Sequence, residues 1–219
     1  MELSSNKFAK AKAVILATGS VPKRCGVKGE EDFFGKGVST CATCDGFFYK
    51  NKEVVVLGGG DTALEEAIFL SDICSKVHLV HRRDSFRAAP ITINNAKSRK
   101  NINFILDSKI NSINGNDKDG VTSVDIENLK DGATSNLEIS GFFVFVGRNV
   151  LNKPIKKDES SFICDTNDSG EVIVDLSMKT SLKGLWAIGD VRVDAPKQVV
   201  CAAGDGATAA IDAINFLNH

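Results

Sequence analysis

Short apolar runs alternate with an amphipathic stretch in the middle of the chain. Residues 53–57 (EVVVL) form a β-branched run that predicts a buried strand, and apolar positions over residues 61–73 recur at helical spacing. Further runs at residues 76–80 and 102–106 predict two more strands. Strands that alternate with a helix in this order predict βαβ units and therefore a parallel sheet.

The flanking regions contain shorter elements. An apolar run from Lys12 to Gly19 predicts a buried strand that ends in a turn, and residues 204–217 predict a helix of small residues. Residues 121–128 and 135–139 predict strands of a small β-meander.

Two segments show neither the helical spacing of apolar residues nor the apolar runs of a strand, and we predict that they are linkers. Residues 21–37 are rich in glycine, proline and charge, and residues 148–152 form a second break before the last strand and helix. We therefore predict that the chain crosses between two modules twice.

The composition is that of an ordinary globular protein, and it excludes two classes of partner. Hydrophobic residues make up 42% and charged residues 25% of the 219 residues, which is enough for a substantial core. With 27 basic and 28 acidic residues, no global charge draws the protein to nucleic acid or to an anionic membrane. No apolar run approaches the ~20 residues of a membrane-spanning helix, and the first residues do not resemble a signal peptide. We expect a soluble, cytoplasmic protein.

A glycine turn precedes the predicted central helix and matches a dinucleotide fingerprint. Gly58 and Gly60 are followed by Ala63, with Asp61 and Thr62 between them. Glycines at these positions let the backbone approach a pyrophosphate, whose charge then faces the amides at the helix N-terminus. The alternative is a tight turn that binds no ligand.

Basic residues stand at the end of the second strand, where NAD-binding domains usually place an acidic residue. His81, Arg82 and Arg83 follow the strand directly, and Arg87 comes one turn later. A 2′-phosphate needs charge-assisted donors, which guanidinium groups supply in pairs. We therefore predict NADPH as the cofactor, and a solvated basic face is the alternative.

Two of the six cysteines, Cys41 and Cys44, are separated by two residues, and Asp45 follows them. This spacing lets a redox disulfide close and reopen, with one thiolate attacking and the other resolving. Asp45 is a candidate acid for a departing thiolate, or a residue that only caps backbone amides. Zinc is the alternative ligand, but no second cysteine pair or suitably spaced histidine pair completes four ligands, so no metal is predicted.

A nicotinamide delivers a hydride, whereas a disulfide is opened by an electron pair that arrives at sulfur. A flavin is the usual intermediary between the two, so we predict an FAD site. Thr18 and Gly19 after the first strand are one candidate contact. Asp190, at the carboxyl end of the strand in GLWAIGD, is the other.

Taken together, ATG, CATCDGFF, GGGDTALEEA, HRRDSFRA, FVGR, and GLWAIGDV followed by KQVV resemble the bacterial low-molecular-weight thioredoxin reductases over essentially the whole chain. CATCD combined with HRRxxFRA is specific for that family. The resemblance implies an α/β protein with two Rossmann-like, three-layer (ββα) domains. An NADPH domain (residues 25–150) is inserted in an FAD domain (residues 1–24 and 151–219). It also implies thioredoxin as the partner, and a homodimer.

The resemblance assigns roles to single residues. Cys44 is the expected flavin-proximal sulfur, Cys41 the sulfur that exchanges with thioredoxin, and Asp45 the acid. The expected contacts to NADPH or FAD are Gly58, Gly60, Asp61, Thr62, Ala63, His81, Arg82, Arg83, Arg87, Gly147, Thr18, Gly19, Gly189, Asp190, Lys197, Gln198 and Val199.

The chain departs from the family pattern in three places. Lys197 stands where the family commonly has arginine, and residues 149–152 replace a small-Pro-Asn run. The family's first glycine-rich FAD fingerprint would precede Met1, so we expect this chain to bind NADPH but to hold FAD poorly. The alternative interpretations are a sister flavoprotein that reduces another disulfide protein, and an inactive NADPH-binding remnant.

Overall fold

The structure is a computed structural model that describes residues 10–159 and 161–218. What the sequence predicts for residues 1–9 lies outside the described residues. In chain order the strands are β1 (Val14–Leu16), β2 (Ser20–Pro22), β3 (Val38–Ser39), β4 (Glu53–Gly58), β5 (Lys76–Val80), β6 (Ile102–Ile105), β7 (Ser108–Asn116), β8 (Gly120–Asn128), β9 (Thr134–Glu138), β10 (Gly141–Phe145), β11 (Arg148–Val150) and β12 (Leu185–Ala187). The helices are α1 (Ala42–Asp45), α2 (Asp61–Ser71), α3 (Pro90–Ser98) and α4 (Val199–Asn218).

The chain forms two compact units. We call Pro22–Gly147 the inserted unit, and Met1–Val21 together with Arg148–His219 the flanking unit. The boundaries expected from the sequence, after residues 24 and 150, lie a few residues further along the chain in both cases. The assignment of the inserted unit to NADPH and of the flanking unit to FAD stays a prediction.

A five-stranded parallel sheet with the order β3-β10-β4-β5-β6 forms the centre of the inserted unit. Val54 and Val56 of β4 share one buried cluster with Ala67 and Leu70 of α2, so the helix covers one face of the sheet. Val55 points to the opposite face and joins a second cluster with residues of the β-meander. Helices, parallel sheet and meander are the three layers of a Rossmann-type α/β fold, as predicted.

The meander consists of three antiparallel strands in the order β7-β8-β9, of which the first was not predicted. Ile110 and Ile113 of β7 are both buried although they are three residues apart. A register shift between Ile110 and Ser112 breaks the period of two, so the strand does not show the alternation that identifies a half-buried strand.

Helix α3 was also missed, because little apolar sequence marks it. Its buried residues are Thr92 and Ala96, whereas Ile91 is exposed. A helix that buries a threonine and an alanine has a weak hydrophobic stripe.

The flanking unit pairs β1 with β12 in parallel, with Leu16 opposite Ala187. Trp186 packs against Ala209 of α4, and its Nε1 donates a hydrogen bond of 3.0 Å to Asp212. The helix predicted at residues 204–217 lies within α4, which begins five residues earlier, at Val199. Within the described residues, no helix combines the length and apolar character needed to cross a membrane.

Candidate functional site

A disulfide joins Cys41 and Cys44 at the start of α1. Cys41 is the N-cap residue of this helix, and the amide N–H of Cys44 donates to the Sγ of Cys41 at 3.2 Å. Cys44 is exposed and Cys41 is half-buried. The sulfur of Cys41 therefore already faces a donor that can stabilise negative charge when the disulfide opens.

The carboxyl of Asp45 is fixed by Ser39, a residue that sequence reasoning missed. Ser39 lies at the end of β3, and its hydroxyl donates to Asp45 Oδ2 at 2.6 Å. The same hydroxyl accepts the amide N–H of Cys41 at 3.1 Å. One buried serine thus connects the acid candidate to the first cysteine, a link between residues on separate elements that no local motif indicates.

A second carboxyl, Glu66, contacts the redox helix from α2 and was also missed. Glu66 accepts a hydrogen bond from the backbone amide of Ala42, a residue that lies between the two cysteines in sequence. Glu66 Oε2 is buried and has no hydrogen-bond partner among the described residues. Burial, and then the charge of Glu65, raises the pKa of Glu66, and the amide of Ala42 partly opposes this shift.

An exposed aromatic pair follows the disulfide. Phe47 and Phe48 lie in a short 3₁₀-helix and are 68% and 75% exposed. The turn that carries these two residues packs closely against α2, because Gly46 is buried and a Cβ at this position would lie 3.0 Å from the side chain of Leu70. Two large apolar side chains beside a reactive group form a surface suited to contact with another protein.

The three glycines after β4 differ in what surrounds them. A Cβ on Gly58 would meet Ala63 Cβ and the carbonyl oxygen of Phe145 at 2.5 Å, so β4, α2 and β10 approach too closely there for any side chain. A Cβ on Gly59 would meet the ring of His81 at 2.2 Å. A Cβ on Gly60, by contrast, would have no neighbouring atom within 4 Å. The open side of the turn is therefore at Gly60, the N-cap of α2, which has no side chain to cap the helix amides.

The basic residues lie beside this turn. Arg82, Arg83 and Arg87 are exposed and have no ion-pair partner in the described part of the chain. His81 is buried and stacks on Phe86 with ring centroids 5.4 Å apart. Burial, together with the three arginine charges, lowers the pKa of His81, so the ring stays neutral next to a cationic cluster. The structure thus brings the glycine turn and the arginines together.

In the flanking unit, the candidate FAD contacts meet at the end of the β1–β12 pair. The Oγ1 of Thr18 is buried without a partner among the described residues, and Gly19 has a φ of +74°. Asp190 accepts a hydrogen bond of 3.1 Å from Arg148, which also donates to the Oγ of Ser20 at 2.8 Å. Arg148 was not singled out from the sequence as a functional residue. It ties the two candidate segments together.

The other residues expected to contact FAD differ in the contacts that hold them in place. Gly189 donates its amide N–H to Asp205 at 3.0 Å, and Lys197 forms an ion pair of 3.1 Å with Glu171. Val199 is 87% exposed at the start of α4, and Gln198 precedes it. Gly147, which is expected to contact NADPH instead, has a φ of +109° and is the last residue of the inserted unit.

Metal-ligating side chains do not converge in the part of the chain that the structure describes. Over residues 10–159 and 161–218, no group of three His, Cys, Asp or Glu residues is close enough to hold an ion.

Comparison with known proteins identifies the family of the chain. Residues 2–206 match the model of the family described as pyridine nucleotide-disulphide oxidoreductase. The chain is 55% identical over 213 residues to a thioredoxin reductase of Helicobacter pylori, covering 97% of this chain and 68% of that protein. It is 39% identical to a thioredoxin reductase of Listeria innocua, covering 99% of this chain and 66% of that protein.

Solved structures show the same similarity. Thioredoxin reductase from Streptococcus pyogenes superposes with a TM-score of 0.84 at 41% identity, over 94% of this chain and 65% of that one. Thioredoxin reductase from Giardia duodenalis superposes with a TM-score of 0.92 at 39% identity, over 99% of this chain and 69% of that one. The chain spans about two thirds of the length of these relatives.

Proposed function

Because this chain belongs to the thioredoxin reductase family of pyridine nucleotide-disulphide oxidoreductases, we propose that it passes electrons from NADPH, through FAD, to the Cys41–Cys44 disulfide and on to thioredoxin. The observation that carries the proposal is the disulfide itself, which lies in the same unit as a glycine turn flanked by unpaired arginines. FAD and NADPH are the cofactors of this family.

The inserted unit fits NADPH. Gly60 leaves the backbone at the N-terminus of α2 open to a pyrophosphate, because no side chain covers it. Arg82, Arg83 and Arg87 supply guanidinium donors for the 2′-phosphate, and their positive charge has no carboxylate partner within the described residues. Gly147, Thr62 and Ala63 complete the proposed nucleotide contacts.

The flanking unit fits part of an FAD site. Thr18 Oγ1 is a buried group that lacks a partner, and Asp190 is held at the end of a strand by Arg148. Gly19, Gly189, Lys197, Gln198 and Val199 are the remaining proposed contacts. When bound, FAD takes up the hydride of NADPH and supplies an electron pair to the disulfide.

The residues around the disulfide carry out the thiol chemistry. Reduction of Cys41–Cys44 breaks the sulfur–sulfur bond with two electrons and leaves two thiols after two protons are taken up. The Cys44 amide donates to the Cys41 sulfur, and Asp45, whose carboxyl is held by Ser39, is the proposed acid that gives a proton to a departing thiolate. Cys41 then attacks the disulfide of thioredoxin. Cys44 resolves the mixed disulfide, which releases reduced thioredoxin and re-forms Cys41–Cys44.

Phe47 and Phe48 are the proposed contact for thioredoxin, because their apolar faces are exposed beside the exchanging sulfurs. A homodimeric state and a cytoplasmic location belong to the same proposal.

A thiol-trapping experiment tests the central assignment without requiring flavin turnover. The reduced C44S and C41S variants are mixed with a single-cysteine thioredoxin that carries thionitrobenzoate on its reactive cysteine. Release of thionitrobenzoate is followed by absorbance, and the mixed disulfide by mass spectrometry. C44S, which keeps Cys41, is expected to form the mixed disulfide faster than C41S. C201S serves as the control, because Cys201 lies outside the motif.

Equal rates for C41S and C44S would contradict the assignment of the exchanging sulfur. A parallel assay of NADPH oxidation with FAD and unmodified thioredoxin tests the whole reaction. NADPH oxidation that occurs only with another disulfide protein would identify a sister flavoprotein. NADPH binding without flavin retention or disulfide reduction would identify a non-catalytic NADPH-binding protein.

A further inference from the structure

The carboxylate of Asp61 does not cap its own helix but bonds to the start of α3. Its Oδ1 accepts the amide N–H of Ala89 at 2.8 Å and the hydroxyl of Thr92 at 3.3 Å. We propose that Asp61 is a positioning residue that holds Arg87 beside the glycine turn and so strengthens the preference for a 2′-phosphate. The inference depends on the proposed function of this unit as an NADPH site.

Helix α3 needs a capping group from elsewhere. Its N-cap residue, Ala89, has no side-chain oxygen, and Pro90 at the first helical position has no N–H. Asp61, 28 residues earlier in the chain, supplies the missing acceptor from the neighbouring helix. The start of α3 is therefore fixed by a residue of the nucleotide turn rather than by its own sequence.

A second bond from the same turn reinforces this connection. The amide N–H of Arg87 donates to the carbonyl oxygen of Gly59 at 2.9 Å. Ala88, between Arg87 and Ala89, is buried in the main core cluster. The chain is thus bonded to the turn at Arg87 and again at Ala89, two residues later, so Asp61 contributes to fixing the position of Arg87 relative to the turn.

The direction of the Asp61 side chain also affects the charge at the turn. An unbonded carboxylate at the N-terminus of α2 would repel a pyrophosphate at the position where the helix favours an anion. The bonds to Ala89 and Thr92 keep Asp61 on the α3 side. An asparagine can make the same two bonds through its amide oxygen without the charge, whereas an alanine makes neither.

The experiment compares two nucleotide fragments that differ by the phosphate in question. Binding of adenosine 2′,5′-bisphosphate and of adenosine 5′-phosphate to the full chain is measured by calorimetry for the wild type, D61A, D61N and D72A. Asp72 is the matched control, because it is an acidic residue at the other end of α2 that pairs with Arg99 instead of α3.

D61A is expected to weaken binding of the bisphosphate by about tenfold, since loss of a capping interaction has an effect of this size, while binding of the 5′-phosphate changes little. D61N is expected to keep the preference for the bisphosphate, and D72A to match the wild type. If D61A is too unstable to assay, T92V removes one of the two bonds and is expected to reduce the preference by a smaller factor.

Two negative results have different meanings. An unchanged bisphosphate preference in folded D61A, or in T92V where that variant replaces it, would overturn the positioning role and leave the NADPH assignment intact. A wild type that binds both fragments equally would instead overturn the assignment of the arginines to a 2′-phosphate, and the positioning role with it.

Discussion

Replacement of Gly60 by alanine is expected to weaken nucleotide binding while leaving the stability of the fold unchanged. Gly60 has a φ of −100° and a ψ of 179°, a conformation that alanine adopts without strain. Its added methyl would meet no neighbouring atom within 4 Å, so G60A is expected to fold like the wild type. The lower conformational freedom of alanine in the unfolded chain, about 0.4–1 kcal/mol, is similar in size to the roughly 0.5–1 kcal/mol by which glycine is preferred over alanine at an N-cap, so the two effects nearly cancel.

The effect of G60A on NADPH binding should be much larger. The methyl group occupies the open space through which a pyrophosphate reaches the amides of α2. A hydrogen bond from an amide to a charged group contributes about 1.5–3 kcal/mol, and loss of one such bond weakens binding about tenfold to a hundredfold. G58A should show the opposite pattern, because its Cβ would lie 2.5 Å from the carbonyl oxygen of Phe145 and force β4 and β10 apart.

Calorimetric titration with NADPH and urea unfolding of both variants provide the measurements. G60A is expected to keep the wild-type urea midpoint and lose affinity, and G58A to lose stability first. Wild-type NADPH affinity in G60A would show that the pyrophosphate does not approach this turn. A large fall in the urea midpoint of G60A would show that the space beside Gly60 is not open.

Three further predictions follow from the same unit. The double variant R82A/R83A should reduce the preference for NADPH over NADH by at least tenfold in competitive titrations, since each charge-assisted bond contributes about 1.5–3 kcal/mol. An unchanged ratio of the two affinities would contradict the assignment of these arginines to the 2′-phosphate. Because burial raises the pKa of Glu66 above the ordinary 4.5, its ionised form destabilises the fold as the pH rises. E66Q should therefore raise the urea midpoint at pH 7 but not at pH 4. A difference between E66Q and the wild type that does not change with pH would show that ionisation of Glu66 is not the cause. F47A and F48A should raise the KM for thioredoxin and leave NADPH affinity unchanged, whereas unaltered KM values would place the docking surface elsewhere.

The parallel sheet of the inserted unit could be predicted because its strands are buried on both faces. The apolar run at 53–57 becomes β4, and the run at 76–80 becomes β5 with the same bounds. Such strands are nearly continuous apolar runs, which the sequence shows directly. Strand β7 could not be predicted in the same way, because its bulge shifts the buried side chains out of alternation.

The motifs of the candidate site were visible in the sequence, but the residues that hold them in place were not. The cysteine pair and the glycine turn consist of residues close together in the chain, so their spacing is preserved in any fold. Ser39 acts on Asp45 from the end of another strand, and Arg148 reaches Ser20 over 128 residues. Such contacts depend on tertiary structure, to which a local pattern has no access.

The glycine turn shows most clearly what a motif leaves undetermined. The fingerprint specifies Gly58 and Gly60 and leaves Gly59 open, yet contacts exclude a side chain at the first two of the three glycines, and only the third has free space beside it. The first two glycines are therefore required by the packing of β4 against α2 and of the turn against His81, whether or not a nucleotide binds. Gly60 is the only one of the three at which these contacts leave room for a side chain. The same open space gives a ligand access to the amides at the start of α2, where the helix favours an anion.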